Sequence, residues 1–151
     1  MTEDIERAPY AKAAPDMFRA MLAFGRSAAQ GLDPVVAELV KIRASQLNRC
    51  AFCLDMHITE ARKAGESDQR IFLLNAWEEV RGVYTERERA ALALTEAVTL
   101  LTEGFVPDEV YARAAAHFDE KELSRLVGAI VAINAWNRFN VAFRTPPGAT
   151  A

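Results

Sequence analysis

Residues 33–65 read DPVVAELVKIRASQLNRCAFCLDMHITEARKAG, and this stretch decides the fold. Asp33-Pro34 is a helix start, with aspartate as N-cap and proline at the first helical position, where a missing N–H costs nothing. The helix runs to about Gln46 and partly buries Leu39, Val40, Ile42 and Leu47. Asn48-Arg49 breaks the run. A second helix begins near Cys50 and stops at Gly65, a natural C-cap.

The same punctuation recurs on both sides. Pro15-Asp16 opens a segment with Met17, Met21, Leu22 and Phe24 on a rough helical stripe, ending at Gly31. Ser67 caps a helix carrying Ile71, Phe72, Leu73, Leu74 and Trp77. Thr85 with Glu88 reads as a capping box before an Ala/Leu-rich run to Glu103-Gly104. Pro107 starts a shorter helix to about His117. Asp119 with Glu122 caps the last long helix, about Glu120 to Ala142, with Val127, Ile130, Val131, Ile133 and Ala135 on its buried side. The tail Thr145-Pro146-Pro147-Gly148 cannot continue a helix and is expected to be loose. No strand pattern survives, so the expectation is an all-α bundle of six or seven helices. Residues 1–151 form a single domain, its ordered core about 15–145 between a short N-terminal arm and the tail. The last helix is apolar over much of its circumference, which suggests a subunit interface.

Composition narrows the function. With 151 residues, 51% hydrophobic and 26% charged, the chain suits one soluble globular domain. A net charge of -3 with both signs interleaved offers no basic footprint for nucleic acid. The acidic start Met1-Thr2-Glu3-Asp4 lacks the layout of a signal peptide, and no apolar run approaches the roughly 20 residues that span a bilayer. A cytoplasmic protein is the default. The only two cysteines, Cys50 and Cys53, are three apart, too close to staple a secreted scaffold. A bridge closing so small a loop stabilises by only about 2 kcal/mol, which suits a reversible switch better than a structural crosslink.

With Cys50 in the first turn, Cys53 follows on the same face and His57 one turn later. Cα atoms at this spacing lie roughly 5–6 Å apart, within disulfide range. A helix N-terminus favours an anion, so a thiol there ionises more readily than free cysteine, whose pKa is about 8.5. Lowering it by two units takes about 2.7 kcal/mol, within reach of a dipole plus a nearby imidazole. If the turn at Asn48-Arg49 folds the helices antiparallel, Glu38 returns beside His57, where a carboxylate orients the ring and passes protons.

Glu38, Cys50 twelve positions on, then Cys53 and His57 resemble the core motif of the alkyl hydroperoxidase D and carboxymuconolactone decarboxylase superfamily. The string from Ile42 to His57, Ala61-Arg62-Lys63-Ala64-Gly65, and the later Asn134-Ala135-Trp136-Asn137-Arg138 are similar to its single-domain members. The resemblance covers about residues 15–145. It implies an alkyl hydroperoxidase D-like helical bundle that assembles as a dimer, trimer or hexamer. It also implies roles: Cys53 as peroxidatic nucleophile, Cys50 as resolving thiol, Glu38 and His57 as proton relay. No bound cofactor or metal is implied; an external dithiol, of lipoyl or thioredoxin type, restores the pair. Well-studied members carry a further histidine between the cysteines, and this chain has Phe52, which removes one relay member. The superfamily's decarboxylases generally lack the cysteine pair, which argues against lactone decarboxylation.

Rival readings stay open at this point. Two cysteines and a histidine are good zinc ligands, with Glu38, His117 or water as a fourth. Phe52 is aromatic and lies between the thiols, so it suits the wall of a peroxide pocket. The main expectation is a thiol-dependent peroxidase acting on a hydroperoxide. Its alternatives are a disulfide reductase or redox relay for a partner protein, and a non-catalytic oligomeric binding module.

Overall fold

Asp33 performs the role its position predicts: Oδ1 accepts from the amides of Val35 and Val36, at 2.7 and 3.3 Å. Ser67 likewise accepts from the Arg70 amide, and Thr85/Glu88 and Asp119/Glu122 both close reciprocal capping boxes. The computed structural model describes residues 4–149 and contains, among them, eight α-helices and no strand. These are α1 Tyr10–Ala13, α2 Pro15–Ala29, α3 Pro34–Leu47, α4 Ala51–Lys63, α5 Asp68–Leu73, α6 Glu86–Thr99, α7 Asp108–Ala115 and α8 Glu120–Ala142. Seven match the segments expected from sequence. The eighth, α1, is a single turn in the N-terminal arm.

Two elements end earlier than expected. The helix opened by Ser67 gives way at Leu74 to a 3-10 turn, Leu74–Ala76, whose tighter winding delivers Trp77 into the core. There the indole Nε1 donates to Glu96 Oε1 at 2.7 Å. α6 stops at Thr99 because Leu100 leaves the helical region, and turns through Gly104 carry the chain to Pro107.

α3 is central, packed by α4, α6 and α8, and α2 lies along α8. Ala28, Val40, Leu94, Phe118, Leu126 and Ile130 belong to the main core, and Leu39, Ile42, Leu74, Trp77 and Leu92 to a second. A third, smaller cluster joins Ala44, both cysteines and Ile133, with Phe52 and Trp136 packed against it. Small residues let α2 and α8 approach closely: a Cβ on Gly128 would stand 3.2 Å from that of Ala28.

The apolar stripe expected on α2 is largely uncovered. Of this helix only Ala28 is buried, and Met17, Leu22 and Phe24 are exposed. Val131 is also exposed, and Ala132 takes the inward position expected for it. The tail is tied down rather than loose, since Thr145 N donates to Asn140 O and Gly148 N to Asp55 Oδ2, each at 3.0 Å. No helix among the described residues is long and apolar enough to cross a membrane.

Candidate active site

The turn between α3 and α4 sets the cysteines. Arg49 takes the left-handed conformation, φ 53°, and Cys50 N donates to Ser45 O at 3.0 Å. This reversal makes Cys50 the N-cap of α4, with its Sγ accepting from the Cys53 amide at 3.3 Å. Cys50 thus stands one position before the first turn in which it was expected. The two cysteines are joined by a disulfide with Cα atoms 5.3 Å apart, and both are buried. The helix-start amide therefore serves the Cys50 sulfur, while Cys53 lies in the first turn of α4, where the helix dipole favours an anion once the bond is reduced.

The hairpin also returns Glu38 to α4. Its Oε2 lies 3.1 Å from His57 Nδ1, and its Oε1 takes the Lys41 ammonium at 3.0 Å. Burial pushes the Glu38 carboxyl up, but the His57 hydrogen bond and the Lys41 charge outweigh it and hold the group below its ordinary value. A carboxylate on Nδ1 places a proton there and leaves Nε2 as the atom that can take or give one. Among the described residues no three His, Cys, Asp or Glu side chains converge as a metal site needs.

A cavity of ≈ 1230 Å³ opens over this hairpin. Cys53, His57, Phe52 and Met56 line it from α4, Phe18 and Leu22 from α2, and Ile133, Trp136 and Asn140 from α8. Cys50 does not reach it, so the two sulfurs are inequivalent: one lies at the cavity wall, the other behind it. Phe52 forms part of the wall, as its position between the thiols suggests.

A match to the carboxymuconolactone decarboxylase family spans residues 15–97, more than half of the chain and all four motif residues. The chain belongs to this family. Its relative YdfG of Bacillus subtilis, an uncharacterised protein, is 44% identical over 138 residues, covering 91% of this chain and 93% of YdfG. A solved structure from Agrobacterium tumefaciens is similar over 97% of this chain and 100% of that one, with TM-score 0.91 and 41% identity. It is a protein of unknown function suggested to be the antioxidant defence protein AhpD. The debrominase Bmp8, at TM-score 0.77 and 16% identity over 91% of this chain and 74% of its own, shares the fold alone. The fold of this carboxymuconolactone decarboxylase family member is therefore all-α and AhpD-like.

Sequence reasoning missed two groups in this family member's site. α8 carries Asn134, Asn137 and Asn140 at three-residue spacing, facing the hairpin. Asn48 Nδ2 donates to Asn134 and Asn137, and Asn137 donates to Ser45 Oγ at 3.0 Å. Asn140 Nδ2 reaches Cys53 Sγ at 3.8 Å. The signal was there, since three asparagines at helical spacing in an otherwise apolar helix need buried partners. The second group, Tyr10, lies in the arm and donates to Asn140 Oδ1 at 3.2 Å; nothing local marks it.

Proposed function

We propose that this protein is a thiol-dependent peroxidase-type oxidoreductase that reduces an organic hydroperoxide through a Cys50/Cys53 dithiol–disulfide cycle. The observation that carries the reading is the asymmetry of the pair: Cys53 and His57 share one cavity wall, while Cys50 is bonded behind it. The Cys53 thiolate attacks the outer peroxide oxygen, the O–O bond breaks, and the alkoxide leaves as an alcohol with a proton from the His57/Glu38 pair. Cys50 then attacks the Cys53 sulfenic acid, expelling water and closing the disulfide. An external dithiol reduces the disulfide and is itself oxidised.

The cavity far exceeds what hydrogen peroxide needs, and its Phe, Trp, Leu, Ile and Met walls suit a bulky apolar peroxide. The same geometry bears on the reductant. Both sulfurs are buried, so a dithiol on a slender arm, lipoyl-like, reaches them where a folded protein's surface does not. The apolar residues left exposed on α2 and α8 support a homo-oligomer, which sedimentation velocity on the full chain reads directly.

The test is stopped-flow mixing of the reduced Cys50→Ser protein with cumene hydroperoxide. The expected result is a sulfenic acid trapped at Cys53, formed at least a hundredfold faster than on free cysteine, and none in Cys53→Ser. Oxidation at the rate of free cysteine, or trapping at Cys50 in the wild type, sinks the assignment. Rapid disulfide exchange without peroxide turnover would favour a disulfide reductase instead.

A further inference from the structure

The helix-start amide is taken by the Cys50 sulfur, and the Cys53 sulfur has a neighbour of its own. Among the described residues the one side chain that hydrogen-bonds the Cys53 sulfur is Asn140, through Nδ2 at 3.8 Å. His57 makes its bond to Glu38 instead. Asn140 is 4% exposed, so its amide is effectively out of water and every bond it makes is to protein. Nδ2 also donates to Trp136 O at 3.0 Å, and Oδ1 accepts from the Tyr10 hydroxyl at 3.2 Å. Those two bonds fix which end of the amide faces the sulfur: a donor, never the carbonyl oxygen.

Tyr10 is itself held firmly. Its ring lies 5.0 Å from Phe139 and 5.1 Å from Phe143, and three residues earlier Arg7 Nη1 donates to Ala142 O at 2.6 Å. The arm thus docks on the end of α8, and a chain of hydrogen bonds runs from it through Asn140 to the reactive sulfur. Burial pushes the Tyr10 hydroxyl's pKa above its ordinary value, against the lowering effect of the Asn140 bond, so the hydroxyl stays a donor at neutral pH.

We propose that Asn140 stabilises the Cys53 thiolate by direct N–H donation, and that Tyr10 is a positioning residue through which the docked N-terminal arm sets the reactivity of that thiol. A donor aimed at a buried anion favours the charged form, and a polarised amide donates more strongly. The inference uses the reading of Cys53 as the attacking thiol only to choose which sulfur to titrate. Charged and titratable groups around the cavity share the task of setting its ionisation. They are His57 on α4, Glu38 and Lys41 on α3, Arg26 on α2 and Arg144 in the tail. The arm adds Asp4, Glu6, Arg7 and Lys12, while the α8 wall presents no titratable side chain.

The experiment is pH-dependent alkylation by iodoacetamide of reduced protein in a Cys50→Ser background, with folding checked by circular dichroism. Asn140→Leu is expected to raise the Cys53 pKa by about one unit, slowing alkylation at acidic and neutral pH about tenfold. Asn140→Asp, which keeps the shape and replaces the donor with a carboxylate, shifts it further in the same direction. Tyr10→Phe keeps the aromatic stack and gives a smaller rise. A Cys53 pKa unchanged in the folded Asn140 variants overturns the donation. A shift with Asn140→Leu beside none with Tyr10→Phe overturns the role of the arm. Alkylation involves no peroxide, so an unshifted thiol counts against this inference whatever the peroxide kinetics show. If Asn140→Leu fails to fold, the isosteric Asn140→Asp and the surface-arm Tyr10→Phe still decide it.

Discussion

Glu38 holds two donors with one carboxylate, the Lys41 ammonium on Oε1 and the His57 ring on Oε2. Its acidity is stronger in the folded protein than in the unfolded chain, so folding favours the ionised form. Stability from this group is therefore complete above the ordinary carboxylate range and fades as pH falls through the lower folded value. Glu38→Gln keeps the shape and removes the charge. It is expected to cost about 1 kcal/mol at neutral pH, discounted for partial exposure, and to flatten the loss of stability below about pH 4.5. Urea midpoints between pH 7 and pH 3 for both proteins check this, and parallel curves would count against it. The Glu38–His57 pairing was legible because all its determinants are local: two helical registers and a turn of two residues. Phe52 was legible for the same reason.

At the scale of the element, α8 combines an apolar bundle face with a stripe of amides. Its ends were readable because Asp119 and Glu122 cap each other, the Glu122 amide donating to Asp119 Oδ1 at 2.8 Å. Its inner face was only partly readable, since periodicity assigned Val131 inward and could not show that amides do the joining. Asn137 is fully buried and links α8 to α3 through Ser45 and to the turn through Asn48. Asn137→Leu takes an acceptor from a half-buried Asn48 N–H and a donor from the buried Ser45 Oγ, and about 2 kcal/mol of stability is expected to go with them. A fall in urea midpoint at constant denaturant slope is the readout. The Cys53 pKa stays in place, which separates the structural amide from the one on the sulfur.

For the whole molecule, the cavity is the feature no window of sequence contains. Its wall is assembled from the arm, α2, α4, α8 and the tail, segments more than a hundred residues apart that only tertiary packing brings together. Helical punctuation predicts each piece; it carries no information on which faces meet, so it gave α2 an apolar stripe without showing that the stripe serves as cavity wall and outer surface. The third cluster has an optical consequence. Trp136 packs in the same small group as Cys50 and Cys53, whereas Trp77 lies in another core, hydrogen-bonded to Glu96. A disulfide at contact accepts an electron from an excited indole and quenches it, and a dithiol does so far less. Reduction is expected to brighten the emission of the native protein, and Trp136→Phe to abolish that change while leaving the Trp77 background. That change would make Trp136 an internal fluorescent indicator of the state of the cysteine pair, readable without a label or a coupled assay.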